Sequence, residues 1–161
     1  MAFLIYGKDE LLAAWAAKKI PHIASAESFG KYVAIGVASG PTKDDKLWAV
    51  CIFHEYIPDY GTVQISMASC NPRWASRATI RDLLATPFLQ YKVNKVFTAT
   101  PHHLDNVIRF NQAIGFTREA TLRHQFGKGT HAVVCGLLWS EYQKKYLPNW
   151  DDGRAAIARA H

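Results

Sequence analysis

The feature that most constrains this chain is a change of texture at Asn71-Pro72. Before it, the β-rich runs Tyr32–Ala38, Leu47–Tyr56 and one beginning at Val63 are joined only by the turn clusters Gly40-Pro41-Thr42-Lys43-Asp44-Asp45 and Asp59-Tyr60-Gly61. Short turns join antiparallel neighbours, so these runs form a meander. In the third run Val63, Ile65 and Met67 alternate with Gln64, Ser66 and Ala68, which marks a strand with two different faces. After Asn71-Pro72 the period becomes helical over Ser76–Leu89, with Ile80, Leu83, Leu84 and Phe88 aligned. A strand over Val93–Thr100 follows, then a helix over Asp105–Ile114 closed by Gly115, whose missing Cβ lets it cap a helix end. Strands at Phe116–Phe126 and His131–Trp139 flank Gly127-Lys128-Gly129.

Before the meander, Leu11, Leu12, Trp15 and Ile20 give a first helix over Asp9–Ile20, stopped by Pro21. The order α, β-β-β, α-β-α-β-β predicts an α+β domain. Its sheet is mixed and mostly antiparallel, of about six to seven strands, with helices on its flanks and a βαβ crossover in its middle. We expect one domain over residues 1–140 and a C-terminal extension over 141–161, in which Asp151 or Asp152 could cap an Ala-rich turn.

The chain's 161 residues are 49% hydrophobic and 20% charged, a globular profile that excludes a disordered chain. No uncharged apolar stretch reaches the roughly 20 residues of a membrane span, and the first residues lack a secretory pattern. Cys51, Cys70 and Cys135 are odd in number and set among apolar residues. They read as buried free thiols of a cytoplasmic protein. The net charge of +6 is uneven: residues 1–70 carry six Lys/Arg against seven Asp/Glu, and residues 71–161 thirteen against six. A basic second half suits an anionic partner, either a phosphorylated cofactor or nucleic acid.

The junction Ser69-Cys70-Asn71-Pro72-Arg73-Trp74-Ala75-Ser76-Arg77-Ala78 is the most informative segment. A helix that starts here presents unsatisfied amides and a positive dipole end. Small residues let a pyrophosphate approach those amides, and the arginines add full charges.

Arg73-Trp74-Ala75-Ser76-Arg77-Ala78 resembles the pyrophosphate loop of the GNAT acyltransferase superfamily, Gln/Arg-x-x-Gly-x-Gly/Ala, with serine at the central glycine. Residues Asn106 to Glu119, ending in Gly115-Phe116-Thr117-Arg118-Glu119, resemble a later element of the same family in the right order. The pattern is similar to the RimJ/RimL-like N-acetyltransferases and to small bacteriophage-encoded acyltransferases, and it covers roughly residues 30–140. The resemblance implies a GNAT fold, splayed between the strands at 63–69 and 93–100. It implies acetyl-CoA or another acyl-CoA as donor and direct attack by an amine in a ternary complex. The backbone of Met67, Ala68 and Ser69 would hold the pantetheine arm. Arg73, Trp74, Ala75, Ser76, Arg77 and Ala78 would hold the pyrophosphate, and Asn106, Arg109 and Asn111 would complete the cofactor site.

Two positions depart from the family pattern. Gln64 stands where relatives often carry a glutamate base, and Asn111 where they carry a tyrosine acid. His54 and Glu55 are candidate replacements for the base, with Tyr56 or Tyr60 nearby and Ser66 beside Gln64 to position a water or the substrate. His102-His103 is not read as a metal site, because adjacent residues of an extended loop point apart. Two other functions stay open: a nucleic-acid-modifying enzyme with a basic track through Lys92, Lys95, Lys144 and Lys145, and a non-catalytic binding module with a plugged cleft. A homodimer through the strand at 131–139 or the C-terminal segment is compatible with the pattern.

Overall fold

The computed structural model describes residues 2–150. Among these residues seven strands form one sheet in the order β1-β2-β3-β4-β5-β7-β6. They are β1 Phe3–Ile5, β2 Tyr32–Ala38, β3 Leu47–Ile57, β4 Thr62–Ser69, β5 Lys95–Pro101, β6 Thr117–Leu122 and β7 Ala132–Leu138. The helices are α1 Asp9–Ala17, α2 Arg77–Ala85, α3 Asp105–Ala113 and α4 Trp139–Tyr146. The pairs within this sheet are antiparallel except β4 with β5, the pair joined through the α2 crossover. The α+β architecture and the mostly antiparallel sheet match the expectation.

Each face of the sheet buries its own cluster. Leu12, Ala13 and Ala16 of α1, with Phe29 from the short 3-10 helix Ala26–Phe29, cover Ala34, Val50, Ile52 and Ala68. On the opposite face α2, α3 and α4 place Ile80, Leu83, Leu84, Ile108, Tyr142 and Tyr146 over Ile35, Phe53, Val63, Ile65, Val133 and Leu137. The alternation along β4 sorts these faces, with Val63 and Ile65 in the larger core and Ala68 in the smaller.

Several boundaries differ from the sequence expectation, each for a local reason. Strand β1 was not expected: three residues are too few to show a period, and pairing with the end of β2 makes it a strand. Helix α1 stops at Ala17, three residues early, and the chain turns through to Pro21. Helix α2 stops at Ala85 because Pro87 has no N–H to continue the ladder. The residues Thr86–Gln90 form a wider π-type turn instead, in which the Tyr91 amide donates to the Thr86 carbonyl at 3.1 Å. Strand β6 ends at Leu122, since Arg123 to Thr130 turn back toward β7. Helix α4 starts at Trp139, across the boundary expected at 140, and buries Tyr142 and Tyr146 in the larger core. The cap expected from Asp151 or Asp152 lies outside the described residues. Cys51 and Cys135 are buried free thiols as expected, but Cys70 is exposed, on the turn that leaves β4.

Candidate active site

Strands β4 and β5 pair only at their beginnings, through Thr62–Lys95, Val63–Val96 and Gln64–Phe97. Gly61 anchors the apex: its carbonyl accepts from the Asn94 amide at 2.7 Å and the Lys95 amide at 3.2 Å. Its φ of +65° is one that glycine adopts without strain. Beyond Gln64 and Phe97 the strands part. The β5-facing backbone of β4 has no strand partner there among the described residues, although its other edge stays paired to β3 as far as Ser69.

A cleft of about 240 Å³ fills the parting. One side is Ile65 to Ser69 of β4, the other Thr98, Ala99 and Thr100 of β5, with Leu104, Val107 and Asn111 of α3 and the turn before it closing one end. The segment Lys19-Ile20-Pro21-His22 after α1 forms the remaining wall. A second cavity of about 320 Å³ shares Met67, Ala68, Ser69 and Val107 with the first and runs on to Pro72, Trp74, Ala75, Asn106 and Phe110. The two lie side by side along β4, and the second reaches the strand–helix junction.

The junction is shaped by its own side chains. Asn71 accepts from the Arg73 amide at 2.9 Å, which turns the chain out of β4. Ser76 is the N-cap of α2, and its hydroxyl accepts from the Thr79 amide at 3.2 Å. The amides of Arg77 and Ala78 precede the first helical bond and keep no partner in the helix. The side chain of Arg77 turns away: its guanidinium donates to the Lys145 carbonyl and lies 5.2 Å from the centre of the Tyr146 ring. Arg77 thus offers the junction its amide rather than its charge. Arg73 is exposed there. Trp74 is buried against Phe110, with ring centres 5.5 Å apart, so its face is closed to stacking with a base.

The candidate catalytic residues divide. His54 Nε2 and Ser66 Oγ share a hydrogen bond of 2.8 Å across β3 and β4. Burial pushes the His54 pKa down to about 4, so the ring is neutral near pH 7. Ser66 lines the cleft, and His54 stands behind it against Phe29. Glu55 and Tyr60 are not brought to either cavity. Glu55 sits in the β3 irregularity with φ 53° and is exposed, and Tyr60 is 71% exposed in the turn before β4.

Asn111 is 1% exposed and lines the cleft. Its amide nitrogen donates to Thr98 Oγ1 at 3.3 Å, and its carbonyl oxygen is buried with no partner. The other predicted α3 residues lie nearer the surface: Asn106 lines the second cavity, and Arg109 is exposed, donating to Asn106 Oδ1 at 3.2 Å. Sequence reasoning missed Lys19 and His22. Nothing in their local pattern marks them, and only the fold brings that segment against β4. Burial lowers the pKa of His22, and its Nδ1 is shielded and unpartnered.

His102, His124 and His131 gather near the β6–β7 turn, but each uses Nδ1 to accept a backbone amide, from His131, Gly129 and His124 in that order. That places the ring proton on Nε2 and leaves no free lone pair for a metal. Among the described residues no group of three or more His, Cys, Asp or Glu is placed to hold a metal ion. None of the helices among the described residues is long and apolar enough to cross a membrane.

No protein-family model and no curated protein sequence matches the chain. Solved structures do. A proposed acetyltransferase from T. thermophilus superposes with a TM-score of 0.67 over 91% of this chain and 90% of its own, at 16% identity. Mutant forms of the spermidine/spermine N-acetyltransferase SpeG from Vibrio cholerae give 0.68 over 94% and 100%, at 12% identity. The same V. cholerae enzyme with manganese ions gives 0.64 over 89% and 95%, also at 12% identity. At such identities the likeness is one of fold: the sheet that parts between β4 and β5 is the GNAT fold.

Proposed function

We propose that this protein is an acyl-CoA-dependent N-acyltransferase that takes acetyl-CoA as donor and an amine as acceptor, by direct attack in a ternary complex. The observation that carries this reading is the parting of β4 from β5 with the unpartnered carbonyl oxygen of Asn111 beside it. A buried acceptor left without a donor costs roughly 1–3 kcal/mol. A ligand N–H, as in the amides of a pantetheine arm, would recover that cost.

The residues lining both cavities and the junction fit such a donor. The open edge of β4 through Met67, Ala68 and Ser69 offers strand-like hydrogen bonds to an extended amide chain. The amides of Arg77 and Ala78, at the positive end of α2, suit a pyrophosphate, and exposed Arg73 adds charge beside them. Acetyl-CoA supplies an acyl group activated as a thioester. The β4 amides at the apex of the parting are the donors available to polarise its carbonyl. Ser66, held by neutral His54, presents a hydroxyl to the acceptor. The amine nitrogen bonds to the acyl carbon as the C–S bond breaks. One proton leaves nitrogen and one reaches sulfur, so the transfer needs a proton shuttle but no net acid. Asn111 therefore need not replace a tyrosine acid; it binds. We place the reaction in the cytoplasm, where the three free cysteines stay reduced.

Isothermal titration calorimetry with acetyl-CoA tests the reading. We expect micromolar binding, weakened about tenfold in Asn111→Leu by loss of a hydrogen bond worth about 1.4 kcal/mol. The same variant should change folding stability little, because the hydrogen bond to Thr98 is lost together with the unsatisfied buried oxygen. Absence of binding by both acetyl-CoA and CoA would contradict the assignment.

A further inference from the structure

The acceptor side of the cleft carries a chemistry of its own. Its wall is the segment Lys19-Ile20-Pro21-His22, which faces Ser66 and Ala68 of β4 and Thr98 and Thr100 of β5. Among the described residues Lys19 is the only formally charged one lining the cleft, and no aspartate or glutamate lines it. The Lys19 ammonium lies 4.7 Å from the centre of the Trp15 ring, a cation–π contact that limits its swing. Across the described residues three buried side-chain polar atoms lack a partner, and two of them, His22 Nδ1 and Asn111 Oδ1, belong to residues of this one cleft. The His22 ring is held from behind by Phe126, with centres 4.6 Å apart. With Nδ1 shielded, Nε2 is the ring nitrogen that stays open to a ligand in the cleft.

These features bear on what the amine can be. A polycation such as spermidine, the substrate named for the V. cholerae enzyme, needs carboxylates to hold its second and third ammonium groups. This cleft opposes them with Lys19. Resting on the acyltransferase reading, we propose that the acceptor is an amine carrying an anionic group, a carboxylate or a phosphate, whose anion pairs with Lys19 while its nitrogen sits against His22. As the C–N bond forms and the C–S bond breaks, His22 takes the proton the nitrogen sheds and returns it to the departing sulfur. The ring is neutral, as a proton acceptor must be, and Lys19 is the charged group nearest to it in the cleft wall. Lys19 also disfavours the ammonium form of a bound amine, which favours the neutral nucleophile.

Release of CoA from saturating acetyl-CoA, followed for several amines, tests this. Glycine and glutamate carry the carboxylate, phosphoethanolamine the phosphate, ethanolamine neither, and spermidine is the polycation. We expect glycine and glutamate, or phosphoethanolamine, to exceed both ethanolamine and spermidine by about tenfold or more in kcat/KM. Which of the two classes turns over tells carboxylate from phosphate. Lys19→Glu should reduce that preference about tenfold and leave acetyl-CoA affinity within about twofold. His22→Gln should lower kcat about a hundredfold with little change in acceptor KM, and imidazole should restore part of the rate in His22→Ala. Preference for spermidine, anionic amines no better than ethanolamine, or loss of acetyl-CoA affinity in Lys19→Glu would each overturn the inference. Calorimetry on the same preparation separates the two claims: acetyl-CoA that binds while anionic amines stay inert overturns this inference alone, and acetyl-CoA that does not bind overturns the reading beneath it.

Discussion

His54 shows how a single buried side chain couples the site to stability. Its pKa is lowered by burial to about 4, whereas in the unfolded chain an imidazole titrates near the ordinary 6.5. Between those values the unfolded state binds the extra proton and the folded state does not. Stability is therefore full above about pH 6.5 and declines as pH falls toward 4. This group alone should remove about 2 kcal/mol by pH 5. The half-buried His22, also lowered, acts with the same sign. Urea midpoints at pH 7 and pH 5 should differ by less in His54→Gln than in the parent; an equal loss in both would show that His54 is not the cause. That residues 54 and 66 are partners was only half legible in the sequence. The strand alternation put Ser66 on the Gln64 face, and the register that sets His54 opposite Gln64 emerged only with the pairing of β3 and β4. Cys70 was misread as buried because its apolar neighbours belong to a strand that ends one residue before it.

At the scale of elements, the junction after β4 has two separable duties. Ser76 caps α2 through the Thr79 amide, and the same turn leaves the amides of Arg77 and Ala78 open. An aspartate caps a helix about as well as serine. Ser76→Asp should thus keep the melting temperature within about 3 °C and weaken acetyl-CoA about tenfold or more by placing a carboxylate beside the pyrophosphate. A differential-scanning melt and a titration on one sample check both. Unchanged affinity would move the phosphate away from α2. These elements could be read from the chain because their signals are local: the caps, the alternation of β4 and the helical period of α3. The π-type turn after α2 was not read as such. Phe88 keeps the helical stripe going, and the ladder nevertheless yields to Pro87.

For the molecule as a whole, the order of periodicities fixed the crossover, and the crossover forces β4 and β5 to lie parallel. Where they separate is a tertiary matter: Gly61 accepts from Asn94 and Lys95 at the apex, and beyond it Asn111 of α3 lines the cleft and donates to Thr98. The wall from Lys19 to His22 is tertiary in the same sense. The net charge of +6 invited a nucleic-acid partner; three of the basic side chains behind it are tied to neighbours in the fold. Lys95 pairs with Glu119, Lys145 donates to the Ala113 carbonyl, and Arg77 is held by α4. The cleft itself is open along β4 rather than plugged, the form that a donor substrate needs. Hydrogen–deuterium exchange with and without acetyl-CoA would locate the donor on the fold. Exchange should slow in peptides covering residues 65–69, 76–79 and 104–111, with the exposed β6 edge at 117–122 unchanged. Protection confined to other segments, or none at all at saturating acetyl-CoA, would rule out a donor site between β4 and β5.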